Sequence, residues 1–257
     1  MFNNQCCTNT PTKDQLRRCL SVKEMLTEQN YLNNQLSYGE AWSQALSVDH
    51  YLTAIVAEFG EFLDQETSPQ YKWWKTKDPE LYSTWMNQLE IVDIIHFYLS
   101  IAIINMRDLR SKLSGCPEEG STEFSMYDNI YVGSDQGVHS SGKGLVENPN
   151  VLNHSNFMDL VKGILCKKWD IFDWVTTLAS LTGSMGMSCE KLSALYYGKT
   201  ILNKTRWENP DWEKIDVAGL EDNERLFPLV EAYLADKTLN LRTDFRQMVE
   251  DEFFTQV

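Results

Sequence analysis

Apolar residues recur along this chain at helical spacing. Residues 13–36 place Val22, Met25, Leu26, Leu32 and Leu36 on one face, which predicts a helix over that span. Residues 47–64 place Leu52, Ile55, Val56, Phe59 and Leu63 on a second stripe. Residues 84–108 are apolar almost throughout, with Glu90, Asp93 and His96 set inside, and read as a long buried helix. Two amphipathic stretches follow at 157–181 and 189–206, separated by the break TGSMGMS. Residues 221–254 read as one or two terminal helices interrupted near Pro228.

The texture changes between 111 and 155, where Gly, Ser and Asn dominate. This segment reads as a loop-rich insertion with a short strand at YDNIYV. The expected architecture is all-α. Residues 13–110 form the core helices, 111–155 the insertion, and 156–257 a mobile helical half with C-terminal helices that close over a site. TGSMGMS is the hinge candidate.

Composition narrows the function. The 257 residues suit one large or two small domains, and 8 Trp, 11 Tyr and 11 Phe require a substantial core. A net charge of −14 repels nucleic-acid polymers and anionic membranes. A nucleotide remains admissible if divalent metal lies between carboxylates and phosphates. The six cysteines show no metal-binding spacing, and no apolar leader opens the chain, so reduced thiols in a cytoplasmic compartment are expected. The apolar run IIHFYLSIAII is too short to span a bilayer.

The chemistry concentrates in Glu58-Phe-Gly-Glu61 and Glu90-Ile-Val-Asp93. Positions i and i+3 share a helix face, so each helix directs two carboxylates the same way. Ile55, Val56, Phe62 and Leu63 around the first pair, and Ile91, Val92, Ile94 and Ile95 around the second, make both helices look buried nearly all round. Buried like charges need compensation, and hard oxygen donors favour Mg²⁺, with Mn²⁺ as an alternative. A lone ExxE is most often a solvated face, and a lone His96 a satisfied core histidine. Two acid pairs on apolar helices are harder to dismiss. Asp93-x-x-His96 loosely echoes a di-iron motif, but no second such pair is visible.

These pairs resemble the signature of the MazG-like all-α nucleotide pyrophosphatases, and more closely that of the dimeric dUTPases. Gln29-Asn-Tyr-Leu32-Asn33 resembles their Q-x-x-L-N motif, and Tyr71-Lys-Trp-Trp74-Lys75 their W-K-x-W-K segment. Glu90 to Phe97 follows E-[IL]-V-D-I-x-H-F almost letter for letter. Gly198-Lys199 through Leu202-Asn203 to Arg206 resembles G-K-x-x-L-N-x-x-R, and Gly219-Leu-Glu221-Asp222-Asn223 resembles G-x-E-D-N. The motifs occur in the family's order. The chain departs after Arg206, where Trp207-Glu-Asn209-Pro-Asp-Trp212 replaces an N-G-Y-like turn, and at Thr205 and Tyr71.

The resemblance implies that Glu58, Glu61, Glu90 and Asp93 hold two or three Mg²⁺ ions against the triphosphate of dUTP. Glu58 would orient or deprotonate the water that attacks the α-phosphorus, releasing dUMP and pyrophosphate. Lys199 and Arg206 would clamp the outgoing phosphates. Gln29, Asn33, Trp74, Lys75, His96, Phe97, Asn203 and Asn209 would contact base, sugar or phosphates. The resemblance also implies a homodimer; the compartment expected above is the host's cytoplasm if the chain is virus-encoded. A dCTP or dual-specificity enzyme of the same fold, and a non-enzymatic binding protein that kept the fold, are the alternative readings.

Overall fold

The first helix begins at a polar signal that apolar spacing does not reveal. Ser21 caps it: its side chain accepts from the Glu24 N–H, and the Glu24 carboxylate accepts from the Ser21 N–H at 2.8 Å. This capping box starts α1 at Val22–Asn34, several residues later than the expected 13, with Arg17 and Arg18 in a separate helical turn.

The computed structural model describes residues 17–35, 39–65, 84–113, 131–132, 173–209, 212–213 and 221–254. After α1 come α2 (Trp42–Ala45), α3 (Val48–Gln65), α4 (Thr84–Leu113), α5 (Asp173–Ser184), α6 (Cys189–Glu208), α7 (Asp222–Ala235) and α8 (Arg246–Phe254). A 3₁₀ turn at Gly39–Ala41 leads into α2, and a π-helical turn at Leu241–Phe245 leads into α8. Among the described residues every regular element is helical, as expected. The strand expected at YDNIYV falls, but for Tyr131 and Val132, outside the described residues, as does most of the 111–155 insertion.

Helix α4 is the axis of the core. An 18-residue stretch within Trp85–Asp108 is long and apolar enough to cross a membrane, but 83% of that stretch is buried against the rest of the protein. Helices α1, α3, α5 and α6 all pack on it, and α7 and α8 pack on α6. One hydrophobic cluster runs through all these layers, from Val22 on α1 to Phe253 on α8. Gly198 lets Leu226 of α7 lie close against α6, because a Cβ there would lie 2.6 Å from Leu226 Cδ1.

Two expectations need correction. Helix α3 is not buried all round. Ile55, Phe59 and Phe62 face inward, whereas Val56 is 51% exposed and shares an open face with Thr53, Ala57, Gly60 and Glu61. The inward set keeps a spacing of three and four, and Val56 lies one residue, about 100°, off it. Nor does Pro228 interrupt the C-terminal region. It lies inside α7, where it and Glu224 are both exposed, so water can meet the carbonyl that loses its N–H partner. The interruption comes later, at residues 236–240, and Asn240 restarts the helical backbone by accepting from the Arg242 N–H at 2.8 Å. The break at TGSMGMS falls where expected: α5 ends at Ser184, Gly186 takes a left-handed φ of 61°, and Ser188 caps α6.

Arg18 ties the two ends of the chain together. Its Nη1 donates to Asp236 O at 3.0 Å and Leu239 O at 2.8 Å, and its Nη2 to Tyr233 O at 2.9 Å. These carbonyls lie at and just beyond the negative end of α7, where a cation is favourable. The guanidinium lies 4.2 Å from the centre of the Tyr233 ring, and the Tyr233 hydroxyl donates back to Arg18 O. Glu190 lies 3.3 Å from its Nε. Arg18→Met should therefore cost about 3 kcal/mol, by stripping buried carbonyls of a charged donor. Urea unfolding followed by far-UV circular dichroism would measure the loss. A variant within about 0.5 kcal/mol of wild type would show the tie to be dispensable.

Candidate metal and nucleotide site

The two acid pairs sit on neighbouring turns of α3 and α4, the most extensively packed helix pair. Carboxylate oxygens of Glu58, Glu90 and Asp93 all lie within 4.8 Å of one another. Glu90 is buried at 5% exposure, and Glu58 and Asp93 are half-buried. Glu61 lies on the exposed side of α3, outside this group of three but near enough to act on Glu58. Burial pushes the Glu58 carboxyl up to about 8, and the charges of Asp93, Glu61 and Glu90 push the same way, while Lys199 opposes them. At neutral pH and without metal, Glu58 therefore holds a proton. A hard, all-oxygen set whose members cannot all ionise suits a divalent cation such as Mg²⁺.

The compensating charge comes from α6. Lys199, with a side chain only 2% exposed, places Nζ 2.8 Å from Asp93 Oδ2 and donates to Asn223 Oδ1 at 3.1 Å. One helical turn earlier, the Tyr196 ring stacks on His96 with centroids 4.3 Å apart and planes 18° from parallel. Residues 93 and 96 on α4 thus meet 199 and 196 on α6, an antiparallel contact in register.

Around His96 lies a buried polar cluster. His96 Nδ1 is 2.7 Å from Gln29 Oε1. Gln29 Nε2 donates to Asn33 Oδ1 at 3.0 Å and Ser100 Oγ at 3.1 Å. Asn33 Nδ2 also donates to Ser100 Oγ, at 2.9 Å. Burial holds the His96 imidazole down at about 4, against the pull of Asp93, so the ring is neutral at physiological pH. Phe97, half-buried, tilts against Tyr51 with centroids 6.3 Å apart.

Arg206 is engaged within the protein. Its Nε and Nη2 donate to the two carboxylate oxygens of Asp222 at 2.9 and 2.6 Å, and its Nη1 to Asn203 Oδ1 at 3.1 Å. Trp212 Nε1 also donates to Asp222, at 3.0 Å. Burial raises the Asp222 carboxyl, but the hydrogen bonds from Arg206 and Trp212 outweigh it and hold it below the ordinary carboxylate range. Asn209 ends α6, its N–H donating to Thr205 O at 3.0 Å.

A family model described as dUTPase matches residues 21–210. The chain belongs to the all-α dUTPase family. The match spans both acid pairs, the Gln29–Asn33 segment and the Lys199–Arg206 segment, and supports dUTP hydrolysis as the family's general activity. No curated protein matches the chain.

For this family member the structure groups the expected residues into three clusters: Glu58, Glu90, Asp93 and Lys199, with Glu61 at the edge; Gln29, Asn33 and His96; and Asn203 with Arg206. Trp74 and Lys75 lie outside the described residues. Sequence reasoning gave no role to four further residues. Asp222 and Asn223, which hold Arg206 and Lys199, were visible only as letters of the G-x-E-D-N motif. Ser100 lies one turn beyond His96 on α4, a polar residue in an apolar run, and that was the available signal. Tyr196 carried none.

Glu58 and His96 set a pH dependence. Glu58 has a folded pKa of about 8 against an ordinary 4.5, so its contribution is intact below 4.5 and lost as pH rises through 8. His96 has a folded pKa of about 4 against 6.5, so its contribution is intact above 6.5 and lost as pH falls below it. Between pH 6.5 and 8 only the Glu58 effect remains. The chelator-treated protein should therefore lose thermal stability across that window, and Mg²⁺ should raise Tm more at pH 8 than at pH 6.5. Differential scanning calorimetry checks both; a metal-free Tm that rises with pH there would contradict the crowding of the carboxylates.

Proposed function

We propose that this protein hydrolyses dUTP to dUMP and pyrophosphate at the Glu58–Glu90–Asp93 cluster, with Mg²⁺ held by those carboxylates and by Glu61 at the open edge. The observation that carries the reading is the crowding of three acids within 4.8 Å in a chain of the dUTPase family. Bound Mg²⁺ would neutralise phosphate charge and make a coordinated water more acidic.

The chain's own groups have distinct tasks. Glu58, freed of its proton when positive charge enters the site, accepts a proton from the attacking water. Lys199, now paired with Asp93, carries the positive charge nearest the cluster and is suited to receive the triphosphate. Arg206, held by Asp222 and Asn203, adds positive charge further along α6. The Gln29, Asn33 and His96 cluster, one turn of α4 from Asp93, receives base and sugar, with Phe97 beside it and Trp74, Lys75 and Asn209 as further contacts. Closure of the 156–257 half about TGSMGMS would exclude water during the reaction. The working assembly is a homodimer, for which the open face of α3 around Val56 offers apolar surface.

Glu58→Gln separates chemistry from folding. The amide mimics the protonated acid that the metal-free fold already holds, so Tm in chelator should stay level or rise. Mg²⁺-dependent pyrophosphate release from dUTP should fall about a thousandfold, as for loss of a group acting directly on the reacting water. Retained turnover would remove Glu58 from the mechanism. In the same assay, cleavage of dCTP equal to or faster than dUTP would move the assignment to the cytosine nucleotide. No release from either would favour a binding protein that kept the fold.

A further inference from the structure

The hydrogen bonds of the buried polar cluster around His96 run in one direction, which starts at His96 itself. Ser100 Oγ lies 3.0 Å from His96 O, a carbonyl that can only accept, so the single hydroxyl proton of Ser100 points there. Ser100 Oγ can then only accept from its other neighbours. The amide ends nearest it, on Gln29 at 3.1 Å and Asn33 at 2.9 Å, must be the NH₂ groups. The opposite end of Gln29 is therefore its carbonyl oxygen, which accepts. His96 Nδ1, 2.7 Å away, must carry the ring proton. The chain of bonds leaves His96 at its backbone carbonyl and returns to it at its ring.

The consequence falls on Nε2. It is buried, has no hydrogen-bond partner among the described residues, and as the unprotonated nitrogen of a neutral ring offers only a lone pair. A buried acceptor left unmet is unfavourable, and a donor group on a ligand would meet it. Tyr196 fixes the ring plane by stacking on His96; its hydroxyl donates to Met25 O at 2.9 Å and also lies 3.3 Å from Gln29 Oε1, the oxygen that faces His96 Nδ1. Both amide protons of Gln29 are already taken, by Asn33 and Ser100, so Gln29 acts mainly through His96.

We infer that Ser100 and Tyr196 are positioning residues that hold His96 as the Nδ1–H tautomer, so that Nε2 accepts a hydrogen bond from a donor group of the bound nucleotide. The inference rests on the nucleotide reading of the site. Two donors fit that chemistry, the imide N–H of a uracil-type base and a sugar hydroxyl. They differ in a useful way. An imide N–H can only donate, whereas a hydroxyl can also accept, so an imide suffers most when the tautomer is released.

The test begins without substrate. Long-range ¹H–¹⁵N spectra of the full chain, labelled on histidine and assigned by loss of the His96 signal in His96→Gln, report which ring nitrogen is protonated. Wild type should show the proton on Nδ1; a proton on Nε2 would overturn the inference. Ser100→Ala removes the bond that sets the direction and should give a mixture of tautomers. Tyr196→Phe keeps the stacked ring and should retain the wild-type tautomer, whereas Tyr196→Leu should not. A variant that leaves the tautomer unchanged in Ser100→Ala counts against the mechanism even if it binds nucleotide poorly.

Kinetics then identify the donor. In Ser100→Ala the KM for dUTP should rise about tenfold, with a smaller fall in kcat, as expected when about 1.4 kcal/mol of binding alignment is lost away from the reacting atoms. If the imide is the donor, the dUTP-over-dCTP preference should collapse as well. If a sugar hydroxyl is the donor, that preference should persist, and the wild-type penalty for the 3′-deoxy analogue of dUTP should shrink. An unchanged KM with both selectivities intact would refute the positioning role. Absence of hydrolysis in wild type would remove the nucleotide reading, while leaving the tautomer result standing on the spectra.

Discussion

Three carboxylates with oxygens within 4.8 Å of one another cannot all stay ionised in a half-buried site unless positive charge comes to them. In this fold the response is divided. Glu58 keeps its proton, its carboxyl pushed up to about 8 first by burial and then by its acidic neighbours. Asp93 takes the ammonium of Lys199 at 2.8 Å. Both arrangements are provisional in the same sense, since each uses a group that a divalent cation and a triphosphate would claim. The apolar packing of α3 on α4 holds the acids close despite their repulsion, and α6 brings the lysine.

The register between α4 and α6 joins this cage to the polar cluster. Asp93 meets Lys199 and His96 meets Tyr196, each pair one turn from the other on two antiparallel helices. A rise of about 1.5 Å per residue puts the two subsites about 5 Å apart along the helix axis, a spacing suited to the parts of a single small ligand. A shift of one helix along the other would break both pairings together. The apolar seam along α4, and the close approach of Leu226 to Gly198 on the far side of α6, oppose such a shift. Asp222 and Asn223, at the start of α7, extend the same logic by holding Arg206 and Lys199 from a third helix.

Much of this was legible in the sequence because it rests on helical period. The acid pairs and the apolar run of α4 follow from spacing, and the break before α6 from the Gly and Ser of TGSMGMS. The misreadings arise where period is not the deciding quantity. Val56 is apolar yet exposed, because its neighbour Ile55 takes the inward direction. Pro228 sits within α7 because its missing hydrogen bond falls on the solvent side. The start of α1 was set by the Ser21–Glu24 capping box rather than by an apolar residue. Ser100 and Tyr196 escaped notice, and Asp222 stood only as a motif letter without a role, for another reason: each acts through a partner distant in sequence, such as Gln29, His96 or Arg206. Pairings of that kind carry no local signature.

If the acid cluster is a cation site kept in waiting by a proton on Glu58, metal binding must displace that proton. Proton release on metal binding tests it most directly. The full chain, stripped with chelator and held in dilute buffer at pH 7, is titrated with Mg²⁺ or Mn²⁺ while released protons are followed by calorimetry in buffers of different ionisation enthalpy. Binding should release about one proton per protein in the wild type and none in Glu58→Gln. Metal binding to the wild type without proton release, or no binding at all, would show that no proton on Glu58 holds this site for a cation.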